Sequence, residues 1–201
     1  ELLAQIVPAE RLDIVTPADS EEAGFEGLTT WEAIQDRMRE IVRHKSSQVA
    51  RQCGAERCRE SVLICADTSI IVSAEPGDFH PPLQVLGQPP ETADRAATLQ
   101  RWFREYYAGR THVAATALHV TGPSGTVIER VATTRVTFRA DLDRWLDWYL
   151  ATDEPRGKAG GYGLQGAASV FVTRIEGSLS NVVGLPLEDL LAAFEELGVL
   201  P

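Results

Sequence analysis

The sequence is short of positive charge and has no long apolar run. Among its 201 residues, 19 Lys and Arg stand against 29 Asp and Glu, a formal net charge of -10. This deficit argues against a nucleic-acid polymer as partner, because such polymers are bound through their phosphate backbone. No apolar stretch approaches the roughly 20 residues that a membrane span needs. We therefore expect neither nucleic acid nor a membrane as partner, but a small ligand held locally or through a divalent cation.

Cysteine is scarce as well. Cys53, Cys58 and Cys65 are odd in number and form neither a C-x-x-C pair nor a set with histidines at zinc spacing. They predict reduced, structural thiols in a soluble, cytoplasmic protein. No secretory pattern opens the chain, and its start at ELLAQI without a methionine suggests that residues precede it.

The remaining patterns predict one domain, residues 1–201, of the α/β class. Helical spacing of apolar residues and β-branched runs indicate alternating helices and strands. The helices are expected at 30–53, 93–109, 141–152 (with an Asp cap) and 187–197, and the strands at 11–17, 61–73, 111–122, 126–138 and 168–177. Residues 74–90 are predicted to be a proline-rich loop. Because the third and fourth strands form a hairpin, we expect a mixed sheet.

The segment EPRGKAGGYGLQG, residues 154–166, has the most unusual composition in the chain. Its glycines spell G-x-G-x-x-G, but a helix precedes the motif and a strand follows it, the reverse of the dinucleotide-binding order. It is not a phosphate loop either, since alanine follows the lysine. A plain glycine-rich turn does not explain Lys158, Tyr162 and Gln165, which such a loop could direct at one ligand.

Asp67 interrupts an otherwise apolar strand, which costs desolvation unless a partner relieves it. One interpretation is a strand-terminal aspartate bonded to backbone amides. The other is a carboxylate at the carboxyl end of a central strand, where α/β sheets bind ligands, with Thr68 donating to the same ligand. A second carboxylate for a metal could come from the acidic cluster Asp19–Glu22, although such runs are more often solvated.

Two further residues have plain structural explanations. Lys45, near the end of the long helix, favours the helix dipole and needs no function. His112 is more often a hydrogen-bonded structural residue than a catalyst, and no Ser or Cys is placed to act with it as a nucleophile. A triad hydrolase is therefore disfavoured.

Several stretches together resemble the Maf family of nucleoside triphosphate pyrophosphatases. ADTSIIV is similar to its central strand motif, AGRTHVAATAL and TTRVTF to the next strands, and EPRGKAGGYGLQGAASVFVTRIEGSLSNVVGLPL to its C-terminal signature. The resemblance covers essentially the whole chain. It implies an elongated α/β fold, related to the inosine triphosphate pyrophosphatases, with a mixed β-sheet flanked by helices and a central cleft. It also implies a divalent metal, magnesium or alternatively manganese, and often a homodimer.

The resemblance implies roles for individual residues. Asp67 matches the catalytic carboxylate, thought to act as general base. Glu22, or alternatively Glu21, matches the acidic residue that works with it on the metal. Lys45 matches a lysine in the corresponding helix of the family. By analogy, the resemblance implies a functional role for Lys45 in place of the helix-dipole explanation given above.

Further matches concern the substrate. Lys158 and Gln165 match cleft positions in the glycine-rich signature. Thr68 and Gln165 together mark the branch that prefers dTTP and UTP, so the resemblance implies a pyrimidine preference.

The sequence departs from the family in two places. The family opens with a strand and a Ser-x-Ser-Pro-Arg-Arg loop whose arginines should grip the triphosphate, and neither is in the sequence as given. Gln88 stands where the family usually has a lysine contacting phosphate, and the loop before it is longer than usual. We expect Gln88 at a substrate-binding position with an effect on rate or specificity.

The resulting hypothesis is hydrolysis of nucleoside triphosphates, dTTP and UTP first, to a monophosphate and pyrophosphate. The alternative is a nucleotide-binding regulatory protein, linked to septum formation, that binds without significant turnover. A nicotinamide-dependent enzyme is disfavoured by the strand order around the glycine-rich segment.

Overall fold

The computed structural model describes residues 1–19, 24–75 and 79–199. Within them, one open sheet has the strand order β2-β1-β3-β4-β5. The strands are β1 (Leu63–Ser73), β2 (Leu83–Leu86), β3 (Thr111–Thr121), β4 (Val127–Phe138) and β5 (Val172–Glu176). The α-helices are α1 (Trp31–Cys53), α2 (Ala55–Glu60), α3 (Arg95–Trp102), α4 (Asp143–Leu150), α5 (Leu179–Val183) and α6 (Leu187–Leu197). Shorter turns lie at Leu3–Gln5, Ala9–Arg11, Phe103–Tyr107 (π-helical), Ala159–Gly161 and Ala167–Phe171.

Helix α1 covers one face of the sheet. It begins where the Thr30 hydroxyl accepts a hydrogen bond from the Ala33 amide, the capping role that a threonine at this position predicts. Ile34, Met38 and Val42 recur every fourth residue and are fully buried against β1 and β3. The predicted helix is therefore confirmed, and burial of this apolar stripe holds it on the sheet.

The opposite face carries an aromatic core. The Phe103 ring centroid lies between 5.1 and 6.0 Å from those of Tyr107, Phe138, Tyr149 and Phe171. All five side chains are at most 1% exposed. Two of these pairs are edge to face and two are tilted, arrangements in which aromatic rings attract one another beyond their hydrophobic burial. They tie the π-helical turn, α4 and β4 into one unit.

The α/β class and the open sheet flanked by helices are confirmed, but the sheet is not mixed. All four strand pairings among the described residues are antiparallel. β2 and β3 do run in the same direction and are connected through α3, as in a parallel crossover. β1 lies between them, so this crossover creates no parallel pairing.

Two segments differ from their predicted state. Residues 11–17 form no strand, and a 3₁₀ turn at Ala9–Arg11 overlaps their start. At their end Gln52 of α1 donates to the Thr16 carbonyl, and just beyond it Gln52 accepts from the Ala18 amide and Gln48 from the Asp19 amide. Conversely, β2 lies inside the predicted proline-rich loop. The Ala74 amide donates to the Pro82 carbonyl at 2.8 Å and closes the loop that joins β1 to β2.

Two smaller differences concern the second half of the chain. β5 begins only at Val172, since Ala167–Phe171 is a 3₁₀ turn. The expected Asp cap of α4 does not form: Leu142 occupies the cap position, and Asp141 pairs with Arg139. None of the described helices is both long enough and apolar enough to cross a bilayer.

His112 makes folding sensitive to acid. Complete burial lowers the pKa of its ring from 6.5 to about 3. Between these values the unfolded chain binds a proton that the folded chain does not, so stability should be lost as the pH falls. We expect the free energy of unfolding, measured with urea, to drop between pH 6 and 5 with a slope of up to about 1.4 kcal/mol per pH unit from this residue.

The matched variant is His112→Gln, which cannot titrate. Its unfolding free energy should vary less over the same interval, and an equal slope in both proteins would contradict the assignment. The interval lies above the range in which Glu129 titrates, since hydrogen bonding to Arg43 lowers the pKa of Glu129 to about 2.

Candidate active site

A cavity of about 790 Å³ opens where β2 separates from β1. The last pair between the two strands is Ile70 with Leu86. Beyond it the chain turns away at Gly87, while β1 is still present at Asp67 and Thr68. The early end of β2 therefore exposes the edge of β1 at the residues that the sequence singled out, and Lys45, Asp67, Thr68 and Gln88 all line this cavity.

A second cavity, of about 610 Å³, adjoins the first. The two share Thr68, Gln88 and Ala159 in their walls. The glycine-rich segment supplies one wall of the second cavity, including Lys158 and Gln165, and the carboxyl end of α5 supplies another. Both volumes lie within the range of small-molecule sites, about 300–1,000 Å³.

Lys45 and Asp67 form an ion pair in the first cavity. The Lys45 Nζ lies 2.5 Å from the Asp67 Oδ1, and the side chains are 21% and 16% exposed. Both structural explanations offered by the sequence are wrong. Lys45 lies more than two turns before the end of α1 at Cys53, outside the reach of the helix terminus. Asp67 is in the middle of β1, opposite Ala117, so the alternative that placed it at the carboxyl end of the strand is wrong as well.

Thr68 projects to the other face of β1. Its hydroxyl lies 2.8 Å from the Thr116 hydroxyl and 3.3 Å from the Gly184 carbonyl oxygen. The Thr116 hydroxyl lies 3.4 Å from the Asn181 carbonyl oxygen, so that two hydroxyl protons are shared among three contacts. This chain of hydroxyls ties the sheet to α5 and so positions the wall that faces the glycine-rich segment. Since neighbouring strand residues face opposite ways, a ligand that contacts both Asp67 and Thr68 must straddle the edge of β1.

Glu154 joins the beginning of the glycine-rich segment to the turn that follows it, a role that the sequence did not reveal. Its carboxylate accepts hydrogen bonds from the amides of Ala167 and Ala168, and the Lys158 ammonium donates to its backbone carbonyl at 2.7 Å. A carboxylate at the start of a helical turn is favoured by the unpaired amides there. The sequence signal, one acid thirteen residues before a short turn, is too weak to have predicted this closure.

Gln88 and Gln165 are brought into the same region from distant parts of the chain. Gln165 lines the second cavity and Gln88 lines both. The position of Gln88 is tied to the glycine-rich segment, because the Gly160 amide donates to the Gly87 carbonyl at 2.9 Å. Glu22 and Glu21 lie outside the described residues.

The carboxylates lining the first cavity within the described ranges are Asp67 and Glu26. No group of three or more His, Cys, Asp or Glu suited to a metal occurs in the part of the chain that the structure describes. This oxygen donor set fits magnesium, which takes one or two carboxylates and completes its shell with water and substrate phosphates. It does not fit a metal held by protein ligands alone.

An ion pair on the face covered by α1 supports the position of Lys45. The Arg43 guanidinium binds both carboxylate oxygens of Glu129 on β4, at 2.6 and 2.5 Å, and His119 Nδ1 lies 2.9 Å from the same carboxylate. A paired guanidinium and carboxylate in this geometry fix orientation as well as distance. Arg43 is two residues from Lys45, so this contact limits rotation of α1 over Asp67.

Lysine is almost absent from the chain. The sequence has two lysines against 17 arginines. Lys45 lines the first cavity and Lys158 the second. Arginine thus serves elsewhere as the cation, and lysine occurs only at these two cavity positions.

Comparison with known proteins agrees with this geometry. A family model described as Maf-like protein matches residues 1–197. The chain belongs to the Maf family. Among its curated relatives, a dTTP/UTP pyrophosphatase of Myxococcus xanthus is 36% identical, with 99% of this chain and 87% of the relative covered. A dTTP/UTP pyrophosphatase of Cupriavidus pinatubonensis is 31% identical over 98% of this chain and 90% of the relative.

Membership of the Maf family confirms the resemblance seen in the sequence. A third Maf relative, from Hyphomonas neptunium, is 32% identical and also named dTTP/UTP pyrophosphatase, with 98% of this chain and 90% of the relative covered. The matches run through both cavity walls, since they include β1, the glycine-rich segment and α5.

The hydroxyl chain gives a prediction for stability. Thr116→Val keeps the shape of a fully buried side chain but removes its hydroxyl, and with it the contacts to the Thr68 hydroxyl and the Asn181 carbonyl. We expect a loss of about 0.5–1.5 kcal/mol in the free energy of unfolding, measured with urea, the net worth of a buried hydrogen bond. Thr116→Ser retains the hydroxyl and is the control. A larger loss in Thr116→Ser than in Thr116→Val would show that the methyl group matters more than the hydrogen bonds.

Proposed function

We propose that this chain hydrolyses nucleoside triphosphates, dTTP and UTP first, to a nucleoside monophosphate and pyrophosphate. The observation that carries the proposal is the convergence of Asp67, Lys45 and Lys158 on two adjoining cavities. The names of the Maf relatives supply the substrate class.

The charge distribution supports an anionic ligand at this place. A chain with a net charge of -10 repels anions in general, so a triphosphate needs cations concentrated where it binds. A lysine ammonium is a compact charge with three donors and can contact several phosphate oxygens. The use of lysine at these two positions in an arginine-rich chain fits that requirement.

In the proposed mechanism, Asp67 orients a water molecule toward the α-phosphorus and accepts its proton. The water oxygen bonds to phosphorus, the bond to the oxygen that bridges the α- and β-phosphates breaks, and pyrophosphate leaves with that oxygen. Lys45 holds the Asp67 carboxylate before substrate binds. Incoming phosphate oxygens compete for its ammonium, which then neutralises their charge.

The second cavity provides base recognition. Gln165 presents an amide that can both donate to and accept from a pyrimidine edge. Thr68 secures the opposite wall through its bond to Gly184. Lys158 reaches phosphate, and Gln88, between the two cavities, offers hydrogen bonds without charge.

A divalent ion, magnesium first and manganese as the alternative, belongs to the proposal. When bound it would neutralise phosphate charge and polarise the phosphorus that is attacked. Asp67 would hold it, with Glu22 as the proposed second carboxylate.

The homodimer, the cytoplasmic location and a link with septum formation stay predictions. The regulatory alternative is not favoured, because the curated relatives described above are named for turnover.

Replacing the carboxylate tests the catalytic role. Asp67→Asn should lower the rate of pyrophosphate release from dTTP and UTP by about a hundred- to ten-thousandfold, the range for losing a general base. Asp36→Asn is the matched control, because Asp36 is exposed on the outer face of α1 and pairs with Arg39. Full activity in Asp67→Asn would remove this residue from the mechanism.

The assay should include CTP, ATP and GTP with magnesium. It should be run on this chain and, where its gene encodes upstream residues, on the chain extended by them. No turnover by either form, with nucleotide binding intact, would reject the hydrolase proposal in favour of the regulatory one.

The scarcity of lysine permits a direct binding test. An amine reagent has two side-chain targets, Lys45 and Lys158, besides the amino terminus. Saturating dTTP with magnesium should slow labelling of both lysines by at least about tenfold, as quantified by mass spectrometry, because both would be covered by phosphate. Unchanged labelling under conditions where calorimetry shows binding would place the nucleotide elsewhere. Lys45→Arg and Lys158→Arg assign the two peptides.

A further inference from the structure

Three consecutive residues of the glycine-rich segment are each held by a buried aromatic side chain. The Tyr107 hydroxyl donates to the Gly160 carbonyl at 2.8 Å, and the Tyr149 hydroxyl donates to the Gly161 carbonyl at 2.9 Å. The Tyr162 hydroxyl lies 2.7 Å from the His112 Nε2. The segment is therefore fastened to the interior at three successive positions.

The groups that hold the segment are themselves rigid. Tyr107 and His112 pack with ring centroids 4.5 Å apart, and both are fully buried. Tyr149 packs against Phe103 at 5.3 Å. The anchoring hydroxyls thus belong to the aromatic core and do not move independently of the sheet.

The backbone between the anchors leaves no room for adjustment. Gly160 and Gly161 adopt φ values of 68° and 71°, which residues with a side chain avoid. A Cβ on Gly160 would lie 2.5 Å from the Tyr107 hydroxyl oxygen, and one on Gly161 would lie 2.2 Å from a Leu99 methyl group. The glycines are thus needed because the backbone packs directly against Tyr107 and Leu99 in a conformation with positive φ.

The anchored residues are close in the chain to residues that line the second cavity. Lys158 lies two residues before Gly160, and Gln165 three residues after Tyr162, both in the wall of the second cavity. The Gly160 amide also holds the Gly87 carbonyl, next to Gln88. The position of Gly160 therefore bears on the placement of groups on both sides of the cavity.

The four anchoring side chains, Tyr107, Tyr149, Tyr162 and His112, neither gain nor lose a proton in the working pH range. Burial raises the pKa of Tyr107, Tyr149 and Tyr162 and lowers the pKa of His112 to about 3. All four side chains are neutral throughout the range in which a nucleotide hydrolase works. They act through geometry and not as acids or bases.

The geometry points to Tyr107, Tyr149 and His112 as positioning residues for nucleotide binding. They hold Gly160–Tyr162 so that Lys158 and Gln165 face the ligand. The inference rests on the proposed function for its substrate. Its distinctive content is that a hydroxyl remote from the cavity controls affinity for the nucleotide.

The test removes one oxygen and keeps the ring. Tyr107→Phe and Tyr149→Phe should each raise KM for dTTP and UTP by about three- to tenfold, as expected for loosening one buried hydrogen bond, with kcat within twofold of the parent. Thr111→Val is the matched control, since it removes a hydroxyl bond between β3 and β4, to Thr137 at 2.8 Å, away from the segment. It should lower Tm comparably and leave KM unchanged.

A second measurement does not depend on turnover. The rate at which an amine reagent labels Lys158 in the folded, nucleotide-free protein should change at least twofold in the two tyrosine variants and not in Thr111→Val. If the parent hydrolyses no nucleotide, the proposed function fails while this measurement still tests the positioning. Unchanged KM and labelling in both tyrosine variants would overturn the inference.

Discussion

The hydrogen-bonded ladder between β1 and β3 is the constraint on which the site depends. It runs from Leu63 opposite Thr121 to Ile71 opposite Val113, so β1 stays straight and ordered even where β2 has ended. Without it, Asp67 and Thr68 would sit on a loose edge, and neither could be held against α1 on one face and α5 on the other. The cleft thus lies where one edge of β1 has no partner strand, while the other edge of β1 remains paired with β3.

The helices complete this arrangement with contacts of different kinds. α1 is held mainly by its apolar stripe, and an ion pair to β4 limits its rotation. The wall formed by α5 is held by hydroxyl bonds, and the glycine-rich segment by bonds from the aromatic core to its carbonyls. Apolar burial fixes how close the elements lie, and the directional bonds fix which way the polar side chains point.

Local patterns were enough to predict α1, β1, the β3–β4 hairpin and α6, because each combines strong periodicity with clear ends. They failed where a short element has little pattern or a distant side chain decides its state. β2 has four residues among prolines, a pattern that predicts a loop, and residues 11–17 have a strand-like pattern but form no strand, with Thr16 bonded to Gln52 of α1.

The same limit applies to the site. The sequence indicated Asp67 with Thr68, and Lys158 with Gln165, as candidate ligand-binding residues from their local settings, whereas Lys45 gained a functional role by resemblance alone. Their grouping depends on pairs such as Lys45 with Asp67 and Gly160 with Gly87, which are far apart in the chain. No window of neighbouring residues contains that information.

The closed loop between β1 and β2 has a consequence for how this fold can vary. Its two ends are joined at Ala74 and Pro82, immediately before the strand ladder begins. The same two residues line the first cavity, and Phe79 within the loop packs edge to face on Trp31, the first residue of α1, with ring centroids 6.4 Å apart. A change of length in this loop therefore acts on the cavity mouth and on the helix that carries Lys45, as well as on the molecular surface.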